Sequence, residues 1–212
     1  TANGRDKGRG VALPARASIG GGYVDGRTRC TVDCVFPGDG RLLVKVASGG
    51  QDDVDAAVKS GRAAFESGVW SRMPPIESKR ILMSFSELIL ANREELALLE
   101  TLNVGKPIAN SYNGDVPSAA NCIAWYAEAI DKVYDEVAPT GKDNLALITR
   151  EPVGVVGAVV PWNFPLLMAA WKLAPALATG NSLVLKPAEQ SPLTAIRLAQ
   201  LAMEAGLPEG VL

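Results

Sequence analysis

EPVGVVGAVVPWNFPLLMAAWKLAPALATGNSLVLKPAEQ, residues 151–190, reads as two consecutive strand-to-helix units of a parallel sheet. Residues 153–160 form a continuous β-branched run interrupted only by Gly and Ala, the pattern of a strand buried on both faces. Pro161-Trp-Asn-Phe-Pro165 ends it abruptly. Residues 166–178 are long enough for a helix and apolar nearly all round, which predicts burial. Gly180-Asn181 is a stop signal, residues 182–185 are a second strand, and Ser191 with Pro192 predicts an N-cap and first helical position for a helix to about Ala205. A right-handed crossover opens both loops on one sheet edge, where open α/β sheets place ligands. The first loop offers Asn163; the second offers Lys186 and Glu189.

Working outward, residues 133–151 read as two strands around the turn Gly141-Lys-Asp-Asn144, a ribbon that needs a partner surface to be stable. Helical stripes precede it. Val54, Ala57, Val58, Gly61 and Phe65 share one face, as do Ile81, Leu82, Phe85, Leu88 and Ile89. Asn92 with Glu95 predicts a capping-box restart and a helix to about Leu102. Asp115 with Pro117 predicts another helix start, with Val116, Ala120, Ile123, Ala127 and Ile130 inward. From Arg16 to Ala47 short β-segments alternate with turns at Gly20-Gly-Gly22, Asp25-Gly26 and Pro37-Gly-Asp-Gly40, a β-meander. Residues 1–12, Gly-rich and basic, read as a flexible solvated tail.

The chain of 212 residues is 48% hydrophobic, enough for one good core or two small domains. A net charge of −2 gives no footprint for nucleic acid or a membrane surface. Pro161, Asn163 and Lys172 punctuate the most hydrophobic region, so no spanning segment is expected. Cys30, Cys34 and Cys122 follow neither a disulfide nor a zinc pattern, and the chain has no histidine; no metal site is expected, and the cytoplasm is the expected compartment.

The string PWNFPLLMAAWKLAPALATGNSLVLKPAEQSPL resembles the aldehyde dehydrogenase superfamily, whose members carry PWNFP, a buried helix with a Lys, and an aliphatic strand ending in KPAE or KPSE. WYAEAIDKVYDEVAPT and LITREPVGVVGAVVPWNFPLL are most similar to the bacterial γ-glutamyl-γ-aminobutyraldehyde dehydrogenases of putrescine breakdown. One departure is Phe36-Pro37 in the third turn, where relatives usually have Asn-Pro. The resemblance implies an α/β fold: a Rossmann-type parallel sheet with an N-terminal β-meander and helices, plus an oligomerisation β-hairpin. It divides the chain into residues 13–132 and 152–212 as parts of an NAD-binding domain, the latter truncated, with the hairpin at 133–151. It further implies oxidation of an aldehyde to its acid with NAD, NADP being less preferred, in a homodimer or homotetramer.

Residue by residue, Asn163 is either an ordinary loop Asn bonded to its own backbone or, as the resemblance implies, the amide that donates to the oxyanion formed when a thiolate attacks the aldehyde. Lys186 and Glu189 are either a surface ion pair or, by resemblance, the ligands of the adenosine ribose. Lys172, a lone charge in an apolar helix, either reaches an edge or points into the site; the resemblance places it near the catalytic pocket. Pro161 and Trp162 neighbour the cofactor by the same resemblance. None of the three cysteines matches the nucleophile, and the water-activating glutamate and the pyrophosphate turn are not found here. The expectation is an inactive N-terminal portion of a longer enzyme; the rival reading is a truncated non-catalytic nucleotide-binding or oligomer-forming scaffold.

Overall fold

The computed structural model describes residues 13–212, so the expected flexible tail at 1–12 lies outside the described residues. The first β-segments are two separate antiparallel hairpins rather than one meander: β1 (Ala17–Ile19) with β2 (Gly22–Val24), and β3 (Thr31–Val35) with β4 (Leu42–Ala47). Gly20 and Gly21, at φ 61° and 81°, make the first turn. Between the hairpins the Arg27 N–H donates to the Asp53 carboxylate at 2.9 Å, which pins the connection to the following helix and turns the chain away from a continuous ladder.

Helix α1 (Gln51–Ser67) places Asp53 at its positive end, where the carboxylate also accepts the Gly50 N–H at 2.9 Å. Its inward face is Asp53, Gly61 and Ala64, while Val54 and Val58 are exposed, a correction to the apolar stripe read from spacing. Helices α2 (Pro75–Ala91) and α3 (Arg93–Val104) break at Asn92 as expected, but not by a capping box. The Asn92 amide instead donates back to the Leu88 carbonyl at 2.8 Å and closes α2, and Glu95 pairs with Arg197. Helical backbone resumes at Ile108–Asn110, passes through a π-helical turn at Ser111–Asp115 and continues as α4 (Val116–Ala129). The α-helix starts where expected, directly after Asp115, but helical backbone already precedes it and Asp115 makes no capping bond. Asp115 has helical backbone angles and directs its carboxylate to Lys106 Nζ at 2.6 Å, and the wide turn absorbs Pro117, which has no N–H to offer.

Strands β5 (Glu136–Ala138) and β6 (Ala146–Ile148) form the antiparallel ribbon, with Val137, Leu147 and Ile148 exposed. The chain then runs β7 (Val155–Val159), α5 (Pro165–Ala178), β8 (Ser182–Lys186) and α6 (Leu193–Glu204). The β7 and β8 strands pair in parallel, Val155 opposite Ser182 through Val159 opposite Lys186. Asn181 ties the unit together: its Oδ1 accepts the Gly154 N–H at 2.9 Å, and its Nδ2 donates to the Ala176 carbonyl at 3.2 Å. The core is built from Leu82, Phe85, Ile89, Ile123, Leu173 and Leu198, contributed by α2, α4, α5 and α6.

Two burial expectations are not met by the described residues alone. Strand β7 is covered on the face bearing Ala158 and Val160, but on the other face α1 reaches only Val155, close to Gly61, and Val159 is 76% exposed. Helix α5 has one open side, where Trp171 and Lys172 face solvent. A sequence uniformly apolar around a helix reports what the residues can tolerate, whereas burial depends on which neighbours arrive. Among the described residues no helix is long and apolar enough to cross a membrane, and no cluster of acidic, Cys or His side chains could hold a metal.

Candidate functional site

The parallel pairing carries both loops to one edge. The Val160 N–H donates to the Lys186 carbonyl at 3.1 Å, so the two strands end level and their connections leave side by side. Pro161, Trp162, Asn163 and Phe164 are all exposed on the first of these loops. On the second, the Lys186 ammonium donates to the Glu189 carboxylate and forms an ion pair with it, both side chains remaining largely exposed. That contact holds the Glu189 carboxyl below its usual range. The pair borders a groove of about 270 Å³ whose walls include Val54 and Ala57 of α1, Leu185 of β8 and Ile196 of α6.

Of the residues singled out by sequence, Lys186 and Glu189 are brought together in this groove. Pro161, Trp162 and Asn163 share the sheet edge but do not line the groove, and Lys172 lies about two turns into α5, exposed and also outside it. An ammonium donor beside a carboxylate acceptor, over an apolar trough, matches the hydrogen-bonding needs of a vicinal diol attached to a flat apolar group.

The helices that follow the two loops begin differently from the reading by spacing. Ser191 does not cap α6; its hydroxyl is buried without a partner. The start of α6 is held from α3 instead: the Leu193 N–H donates to Asn103 Oδ1 at 3.0 Å, and Thr194 Oγ1 donates to Glu100 Oε1 at 2.8 Å. The same Glu100 oxygen accepts the Leu166 N–H of α5 at 3.0 Å. Glu100 is wholly buried, and burial pushes its pKa up to about 7 against the opposing pull of those two hydrogen bonds and of nearby Lys106. Lys106 in turn rests 4.0 Å from the centre of the Phe164 ring while paired with Asp115. Sequence reasoning missed Glu100 and Asn103. The available signal was two polar residues on the stripe that also carries Leu96 and Leu99, where a helix facing the core has no use for a charge.

Comparison with known proteins bears on this arrangement. The family model described as "Aldehyde dehydrogenase family" matches residues 23–212. The chain is 53% identical to the NADP/NAD-dependent aldehyde dehydrogenase PuuC of Escherichia coli K12, an alignment covering 98% of this chain and 42% of that protein. It is 49% identical to the aminoacetaldehyde dehydrogenase of Pseudomonas aeruginosa, covering 94% of this chain and 40% of that protein. Among solved structures, the γ-glutamyl-γ-aminobutyraldehyde dehydrogenase from Burkholderia cenocepacia J2315 superposes with a TM-score of 0.97 at 55% identity, over 99% of this chain and 43% of that one. An indole-3-acetaldehyde dehydrogenase complexed with NAD+ gives 0.98 at 56% identity, over 100% and 43%. The chain therefore spans roughly two fifths of the length of these relatives. With the family model matching nearly the whole sequence and the fold superposing closely on solved members, the chain belongs to the aldehyde dehydrogenase family.

Proposed function

We propose that the complete protein oxidises an aldehyde, of the γ-glutamylaminobutyraldehyde or another amino-aldehyde type, to the carboxylic acid with NAD. The observation that carries this reading is the Lys186–Glu189 pair at the carboxyl edge of two parallel strands, in a chain half identical to dehydrogenases of amino-aldehydes. When bound, NAD supplies the hydride acceptor. The chain's own residues bind and orient. Lys186 donates to, and Glu189 accepts from, the adenosine ribose hydroxyls, and the Glu189 charge disfavours a 2′-phosphate, which gives NAD preference over NADP. Pro161 and Trp162 border the cofactor and limit the movement of their loop. The Asn163 amide donates to the oxygen on which negative charge develops as a thiolate adds to the carbonyl, so it acts chiefly on the transition state. Lys172 of α5, solvent-facing within these residues, is assigned by family resemblance to the neighbourhood of the catalytic pocket, where its charge would add positive potential. The thiolate and the base that activates water come from outside these 212 residues, so this portion alone is inactive.

In the same reading, residues 13–132 and 152–212 belong to the nucleotide-binding domain, and 133–151 form an oligomerisation ribbon. The exposed Val137, Leu147 and Ile148 support this assignment, because an isolated two-stranded ribbon is marginal in water. Sedimentation of the complete protein is expected to give a dimer or tetramer; a monomer would end this part of the proposal. The activity is tested by following NADH absorbance with γ-glutamylaminobutyraldehyde and simpler aldehydes. No NADH from any of them, at saturating NAD, would contradict it.

A further inference from the structure

We propose that Glu100 is the positioning residue that sets the Asn163 loop and the Lys186–Glu189 loop relative to each other. A single oxygen of this wholly buried carboxyl bridges the first turns of both helices that follow those loops, through the Leu166 N–H at 3.0 Å and Thr194 Oγ1 at 2.8 Å. Leu166 is three residues beyond Asn163, and Thr194 is five beyond Glu189. A shift of either helix start is therefore passed to a site residue with little chain in between.

The bridge is built into α3 rather than into the sheet. One turn further along, Asn103 accepts the Leu193 N–H at 3.0 Å and donates to Cys34 Sγ at 3.2 Å. Past the end of α3, Lys106 supports the Phe164 ring from 4.0 Å. Both helix starts thus lean on one rigid element. The second carboxyl oxygen, Oε2, is buried without a partner. A carboxyl in an apolar core costs free energy that a leucine at the same place would not, so stability of the core is a poor explanation for Glu100. Geometry is the better one, since a misplacement of about 1 Å in a site can cost about 10²-fold in rate.

The inference rests on the site assignment given under the proposed function, and the test separates the two. In the complete protein, kcat and KM for NAD are measured for Glu100→Ala, Glu100→Gln and Thr194→Val, beside Asn163→Ala and Lys186→Ala. Phe85→Leu serves as a destabilised core control away from the loops. Glu100→Ala is expected to lower kcat and raise KM for NAD together, by about tenfold or more each, and Glu100→Gln, which keeps an acceptor oxygen, to restore most of both. Thr194→Val cuts only the α6 arm and is expected to raise KM for NAD about 3- to 10-fold with kcat nearly kept. Phe85→Leu is expected to lower Tm without this pattern. Glu100→Ala with unchanged kcat and KM overturns the proposal, as does failure of Glu100→Gln to rescue. If Glu100→Ala does not fold, Thr194→Val decides: an unchanged KM for NAD overturns the proposal. Unchanged kinetics in Asn163→Ala and Lys186→Ala would instead remove the site assignment beneath it.

Discussion

Val159 and Lys186 stand opposite each other at the last rung of a parallel ladder, and the Val160 N–H donates to the Lys186 carbonyl at 3.1 Å. Because the rung fixes where both strands end, the Pro161–Pro165 loop and the Lys186–Glu189 turn start from one line. The proposed site at this sheet edge depends on that shared origin.

The amide of Asn163 is assigned to the developing oxyanion, so its loss should appear in turnover and not in cofactor binding. Asn163→Ala in the complete protein is expected to lower kcat by about 10²- to 10³-fold with KM for NAD nearly unchanged. Steady-state kinetics at saturating aldehyde measure both; an unaltered kcat would reassign Asn163 to its own loop backbone.

Removing the Glu189 charge should act on cofactor choice. Glu189→Gln is expected to raise KM for NAD by about tenfold, the size of one charge-assisted hydrogen bond, while lowering the discrimination against NADP. A wild-type enzyme already favouring NADP by KM would contradict the role given to this carboxylate.

The buried carboxyl of Glu100 has a pH signature in stability. Its pKa is raised from 4.5 to about 7 by burial, so between those values the folded state keeps a proton that the unfolded state has released. That proton favours the folded state at low pH, and the contribution is lost as pH rises through about 7. Lys106 and Asp115, themselves an ion pair, face the same region and act on the carboxyl in opposite directions. Denaturant unfolding of the complete protein is expected to show stability declining from pH 4.5 to 7 by more in wild type than in Glu100→Gln. Equal slopes would mean the carboxyl is not titrating there.

Core packing gives a simpler expectation. Phe85 of α2 is buried in the main core, and Phe85→Ala is expected to destabilise by about 3–5 kcal/mol, read from the denaturant midpoint. A cost below about 1 kcal/mol would show that the site collapses or that the residue is not packed as described.

The legible part of the fold was the part dictated by periodicity and punctuation. The apolar run before Pro161, the stop at Gly180-Asn181 and the stripe of Leu82, Phe85 and Ile89 each specify an element locally, and the structure contains those elements. What sequence could not show was who supplies the caps. Ser191 and Asn92 have the residue types of N-caps, yet the α6 start is held by Asn103 and Glu100 from α3, and Asn92 closes the helix before it. At α6 the tertiary partners outcompeted the local cap because they are buried, where each unmet N–H is costly, whereas Asn92 found a nearer partner in the turn behind it. Within these 212 residues α5 and β7 are each covered on one side only: apolar composition permits cover but does not provide it.

A crystal structure of the complete protein with NAD bound tests the common edge most directly. The account requires the adenosine ribose hydroxyls to lie within about 3.2 Å of Lys186 Nζ and the Glu189 carboxylate, with Asn163 in the same cleft at the nicotinamide end. A cofactor seated away from Lys186 and Glu189, or an Asn163 facing out of the cleft that holds it, would contradict the account.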